Sequence, residues 1–372
     1  MTGIGKFIII AGIILAISLP LPSRAQETVR VLVFDDLPSV TLNIPDDYEV
    51  KDDAGMSGTS GSSRGAKIKL DEGNFPDGGV KIRAGDAAVN MNEYALTGLI
   101  EVVKTARGRF RIINELDLES YVASVVGEEM GSKWPSEALK AQAVIARTYV
   151  LFRKARGGCD GYDLCATVNS QMFTGYAKAK PGPAQATTDT AGEVLTYGGD
   201  VIETVYHSTC GGSTEDASEI WNRKYSFLQA RDCWNCSDSP YGKWERAFSA
   251  SEIERAVRSG GFPVDGLSGI KVLERTKSGR VKTMKLNAGA GGINIKGLDF
   301  RRLVGYSKLP STMFDIQKRD GKFVFNGRGS GHGVGLCQWG AKKMAEQGKT
   351  YREILEYYYP GTEVSKVSDK VQ

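Results

Sequence analysis

Histidine is nearly absent from this sequence, with two among 372 residues, so a His-rich metal site is excluded. Long apolar runs are missing after residue 25. A membrane span needs about 20 predominantly apolar residues, so a polytopic membrane protein is excluded as well. A charge excess of one sign is also lacking: 48 Lys and Arg stand against 44 Asp and Glu, a net charge of +4. That balance is too mild for a nucleic-acid binder, and no nucleic-acid partner is expected. No Gly-x-Ser-x-Gly elbow is present, and Gly329-Ser330-Gly331 has the wrong spacing, which sets a serine hydrolase aside. The glycine loop around it lacks the Lys-Ser/Thr ending of a phosphate-binding loop. No internal repeat is evident. Glycine is plentiful, at 45 residues, and 41% hydrophobic with 25% charged residues is the composition of a soluble globular chain. The length admits one large domain or two to three ordinary ones.

The first 25 residues read as a secretory signal. Lys6 precedes an apolar run from Phe7 to Ile17, Leu19-Pro20-Leu21-Pro22 breaks it, and Ser23-Arg24-Ala25 forms a small-x-small cleavage site. The run is short for a membrane anchor, the competing reading. Export follows, to periplasm, cell surface or medium, where disulfides can form. Residues 26–112 read as a β-rich lead-in, with Lys67–Leu70, Val80–Arg83 and Phe110–Ile113 among its strands and a Gly/Ser-rich flexible loop from Gly55 to Gly65. From 113 to 364 helices and strands mix without steady βαβ alternation, so the fold class is α+β, and 365–372 is a polar tail. Asp117 caps a helix to about Met130, and Pro135 starts a second helix ending near Gly157. Ser249 with Glu252, and Thr350 with Glu353, form two capping boxes. A hairpin is expected from Ile270–Leu273 and Val281–Leu286, and a strand from Val201 to Tyr206.

Several residues could carry chemistry. Leu118, Val122, Val125 and Glu129 share one helical stripe. A carboxyl ending an apolar stripe is desolvated, which raises its pKa toward what a general acid needs. Glu128 points about 100° away on a wetter side. The competing reading is an exposed Glu pair at a helix end. Both histidines, His207 and His332, sit in glycine-rich segments where backbone or ligand can approach closely. The small side chains of the second helix make Gln142 and Arg147 candidate buried polar groups. Six cysteines allow three disulfides in 15 connectivities. The compartment favours disulfides. Alternatively, Cys233-Trp234-Asn235-Cys236 is half of a zinc site that Cys210 and Cys337 could complete.

The segment Tyr121–Tyr149, YVASVVGEEMGSKWPSEALKAQAVIARTY, closely resembles the signature of the sporulation stage II protein D (SpoIID) family, which includes the LytB amidase enhancers. The resemblance continues through Ser170–Tyr176, Tyr206–Gly212 with Trp221, and Gly331–Ala341, and ends at Tyr359-Pro360-Gly361. It implies a SpoIID-like domain that cleaves peptidoglycan glycan strands, intact or stripped of stem peptides, as a lytic transglycosylase with Glu129 as the catalytic acid. It implies supporting roles for His207, Ser208, His332 and Gln171, with Gln142 and Arg147 bracing the helix pair. Some members bind zinc through a His/Cys cluster. Here Asn169 and Ser170 stand where its His-Cys pair would follow Cys159 and Cys165, so the resemblance implies a Cys159–Cys165 disulfide and no resident cofactor. It also implies that Cys210, Cys233, Cys236 and Cys337 lie close together, where the compartment favours two further disulfides over the alternative zinc site. Two alternatives remain: a non-catalytic wall-binding protein that enhances a separate amidase, and a true hydrolase leaving reducing ends.

Overall fold

A computed structural model describes residues 27–367 except 45–47, 53–56, 62–65, 77–78, 85–86, 177–178, 234–235 and 290. The segment read as an export signal lies outside the described residues. Among these residues no helix is long and apolar enough to cross a membrane. The eight helices among the described residues are α1 (Leu118–Glu129), α2 (Ser136–Ala155), α3 (Pro181–Asp189), α4 (Ala217–Trp221), α5 (Ala250–Ser259), α6 (Gly297–Val304), α7 (Gln338–Glu346) and α8 (Tyr351–Tyr358). With strands in several small sheets, this is the expected α+β class.

The lead-in builds a seven-stranded sheet in the order 164–165, 28–37, 110–117, 99–104, 80–84, 48–52, 57–61. All its pairings are antiparallel except that of Leu164–Cys165 with Thr28–Leu37. A four-stranded sheet shares its apolar core, through Val40, Leu42, Leu70 and Val89. The stretch Gly55–Gly65, expected to be a flexible loop, carries the strand Ser57–Gly61 on the Tyr48–Asp52 edge. Ladder hydrogen bonds need only backbone, so a sequence poor in strand formers can still be recruited to an open edge. The expected strand Val201–Tyr206 is also divided, into Asp200–Val201 and Tyr206–His207. The expected boundary at residue 112 falls inside the strand Phe110–Asp117, which runs directly into α1. One apolar core continues across it, from Val29, Val31 and Ile112 to Val122, Val144 and Tyr359. At the other end, Ser365 and Lys366 pair with Glu193 and Val194 as part of a strand.

Asp117 caps α1, its carboxylate accepting from Ser120 N–H at 2.8 Å. Eight residues of α1 are buried. The long helix α2 is buried on several faces because Ala138, Ala141, Ala143 and Ala146 let neighbours approach. It packs against α1, α3, α7, α8 and the strand Glu193–Tyr197. A second apolar core, from Trp244 to Phe325, gathers α5, α6 and two three-stranded sheets around Phe300 and Phe325. Chain segments before Trp244 and after Phe325 return to the first core, which includes Cys233, Cys236, Leu336 and Cys337.

Candidate active site

Glu129 is the last residue of α1, half-buried, while Glu128 beside it is exposed. The buried stripe of Leu118, Val122 and Val125 carries Glu129 inward. Its Oε1 accepts from Met172 N–H at 2.9 Å and from the Tyr206 hydroxyl at 3.1 Å. The Gln338 side chain, at the start of α7, is a third hydrogen-bond partner. Burial pushes the carboxyl pKa up, and these three bonds to its charged form pull partly the other way. The net direction is upward. The Tyr206 hydroxyl is itself held protonated, its pKa pushed well up by burial and by Glu129, so it remains a donor.

The other expected residues fall into three groups. Gln142 and Gln171 lie beside the Glu129 cluster. Gln142, fully buried on α2, accepts from Gln338 Nε2 at 3.5 Å. Gln171 precedes Met172 and accepts from the Tyr121 hydroxyl at 3.1 Å. The Nε2 atoms of both glutamines are buried without a geometrically complete hydrogen bond. Arg147 belongs to the framework: it binds Glu119 through two bonds at 2.8 and 2.5 Å and donates to the carbonyls of Glu193 and Thr187. It therefore ties α2 to α1, α3 and the strand Glu193–Tyr197.

The histidines form the third group. Tyr206 and His207 are consecutive on one strand and so point to opposite faces. Tyr206 takes the Glu129 side. His207 donates from Nδ1 to the Val334 carbonyl at 3.0 Å, leaving a buried Nε2 without a partner. Its ring lies 5.7 Å from that of His332, which in turn lies 5.2 Å from Trp221. His332 accepts from Val334 N–H at 3.0 Å and bonds the Tyr206 backbone, fastening the strand that carries Tyr206. Burial pushes the His332 pKa down to about 4. The Ser208 hydroxyl meets Thr209 at 3.3 Å, and its carbonyl accepts from Trp339 N–H at 3.1 Å.

The glycine loop has an internal reason for its composition. A Cβ on Gly331, at φ 107°, would lie 2.6 Å from the His207 Cβ, and one on Gly333, at φ 92°, would lie 2.4 Å from the Arg280 guanidinium. Close packing within the protein therefore requires glycine there. Tyr206 and Gln338 were not among the site residues expected from sequence, although each neighbours a residue that was singled out, His207 or Cys337. Strand alternation could have suggested Tyr206; nothing local suggests Gln338. A groove of about 640 Å³ belongs to the second core and has Trp244, Arg275 and Arg328 among its walls. None of the Glu129 partners lines it.

All six cysteines are free thiols in the structure. Cys159 is exposed, and Cys165 is close enough for its pKa to be raised by burial first and by Cys159 second. Cys210, Cys233, Cys236 and Cys337 converge, all buried, with their sulfurs within 4.8 Å of one another.

Residues 106–197 match the family described as Stage II sporulation protein, and residues 215–335 match a domain described as of unknown function. An uncharacterized protein of Brachyspira hyodysenteriae is 35% identical over 254 residues, covering 68% of each chain. The stage II sporulation protein D of Bacillus subtilis is 32% identical over 284 residues, 72% of this chain and 79% of that one. An amidase enhancer of Bacillus subtilis is 28% identical over 286 residues, 64% of this chain and 39% of its own length.

Proposed function

The chain belongs to the stage II sporulation protein D family, and on that footing we propose that it acts on the cell wall as an exported lytic transglycosylase of peptidoglycan glycan strands. The observation that carries this reading is Glu129: a half-buried carboxyl with its pKa raised by burial, held by three neutral donors. A carboxyl so placed can remain protonated long enough to act as an acid, and the ion it leaves behind is received by donors already in position.

The reaction uses that one carboxyl twice. Protonated Glu129 gives its proton to the oxygen joining N-acetylmuramic acid to N-acetylglucosamine. The bond to the muramic C1 breaks, and that carbon takes on oxocarbenium character. Met172 N–H, the Tyr206 hydroxyl and Gln338 stabilise the carboxylate formed. The carboxylate then takes the proton of the muramic 6-hydroxyl as O6 bonds to C1. The products are a free 4-hydroxyl and a 1,6-anhydro end. No water is consumed, so a second catalytic carboxylate is not required.

Mass spectrometry of products from purified protein tests this on intact and on peptide-stripped glycan. Anhydro ends are expected; reducing ends would establish a hydrolase instead. The similarity to an amidase enhancer favours a second reading, a non-catalytic wall-binding partner of an amidase. No cleavage of either glycan, with stimulation of an added amidase, would support it. We also propose that Cys159 and Cys165, free in this structure but near one another, pair as a disulfide in the exported chain, as the departure from the family's zinc ligands suggests; non-reducing peptide mapping checks this.

A further inference from the structure

We infer that Cys210, Cys233, Cys236 and Cys337 form a structural zinc site that holds the partners of Glu129 in place. The four sulfurs come from three separate segments and lie mutually within 4.8 Å, with Cys210 and Cys236 at 3.3 Å. Zinc bound tetrahedrally by thiolates at ~2.3 Å needs sulfur–sulfur edges of ~3.8 Å, about 1.63 times that radius. A disulfide needs about 2.0 Å and joins sulfurs only two at a time. The four residues are at most 2% exposed. Four protein ligands leave no open position, which marks a structural site.

The surroundings suit thiolates. Cys337 Sγ receives the N–H groups of Cys210 at 3.3 Å and Gly340 at 3.4 Å, and Cys210 Sγ receives that of Gly212 at 3.4 Å. Cys233 Sγ lies 3.1 Å from the Tyr358 hydroxyl. Such second contacts orient metal-bound sulfur. Cys337 is also the N-cap of α7, where the helix dipole favours negative charge. Buried Arg280 donates to the Cys210 carbonyl at 2.7 Å, placing a cation beside the cluster. Zinc with four thiolates carries two negative charges, and its binding releases the thiol protons.

The position of the cluster gives it a task. Tyr206–His207 pairs in parallel with Leu336–Cys337. Cys210 thus lies four residues beyond Tyr206, and Cys337 is adjacent to Gln338; both of those residues reach Glu129. Cys233 and Cys236 fasten the chain just before it enters the second core at Trp244. One ion would secure the neck of that lobe and the donors around the carboxyl together.

The test uses the full exported chain purified without chelator, and elemental analysis precedes any glycan assay. One zinc per chain is expected, released as four thiols are modified by an organomercurial. Cobalt substitution should give the intense thiolate-to-cobalt absorption of a tetrahedral sulfur site. Cys236→Ser should lose the zinc, while a Cys159→Ser/Cys165→Ser double variant keeps it. Should Cys236→Ser fail to fold, stoichiometry and the cobalt spectrum of the unaltered chain decide. Metal-free protein with these four cysteines mapped into two disulfides would overturn the site. One iron in place of zinc would overturn the metal assignment.

Discussion

Replacing Glu129 by glutamine removes the proton and keeps the shape. The amide oxygen can still accept from Met172 N–H and the Tyr206 hydroxyl, now at 2.9 and 3.1 Å from Oε1. General acid–base catalysis typically contributes about 10²- to 10⁴-fold, or about 3 to 5 kcal/mol of barrier, so Glu129→Gln should lower turnover by at least that factor. Stability should move the other way. A carboxyl whose pKa is raised in the fold binds more protons folded than unfolded, so its contribution is present below the unfolded value of 4.5 and is lost as pH rises through the folded value. The variant should therefore lose that pH dependence and be no less stable at neutral pH. Glu128→Gln removes a charge from the same helix end but lies exposed, and should be mild. Release of anhydro-muropeptides followed by mass spectrometry, with urea unfolding at several pH values, reads both effects. An active Glu129 variant beside a dead Glu128 variant would refute the assignment, and full activity in both would remove this helix end from the chemistry.

Tyr206→Phe deletes one donor to the Glu129 carboxylate, so the carboxyl pKa rises and the alkaline limb of the pH–rate profile, where the acid ionises, should shift upward, with up to about 1.5–3 kcal/mol of ion stabilisation lost; an unmoved profile would place the hydroxyl outside the acid–base step. Arg147→Met strands Glu119 and should destabilise by about 2–4 kcal/mol, less than a fully buried pair because the Glu119 side chain is 35% exposed. Urea unfolding measures that loss, and the folded fraction should keep its affinity for glycan. His332 is held neutral by burial, with Arg301 and Arg280 adding to the effect, and its pKa is about 4 against 6.5 unfolded. Its contribution is thus present above 6.5 and lost as pH falls toward 4, at most about 3 kcal/mol. His332→Asn, which keeps an acceptor for Val334 N–H, should flatten stability across that window.

Local physics made much of the framework legible in sequence. Capping boxes at Ser249 and Thr350 close on Glu252 and Glu353 as their spacing requires, because a cap is a contact within one turn. The stripe that carries Glu129 inward has the same origin: helical period alone places it beside Val122 and Val125. Strand Ser57–Gly61 escaped notice because its register depends on a neighbour's edge and not on its own side chains. The donors around Glu129 lay further out of reach. Met172, Tyr206 and Gln338 are 43, 77 and 209 residues downstream, and only the packing of α1, α2 and α7 with the strand pair Tyr206–His207 and Leu336–Cys337 brings them to one oxygen-bearing group. The same packing turned four scattered cysteines into one buried cluster and set His207 on the face opposite Tyr206. Sequence alone determined which residues could do chemistry, since side-chain type and short-range periodicity are written in it. Tertiary structure decided which of them meet, because hydrogen bonds and desolvation act over a few ångströms in space whatever their separation along the chain.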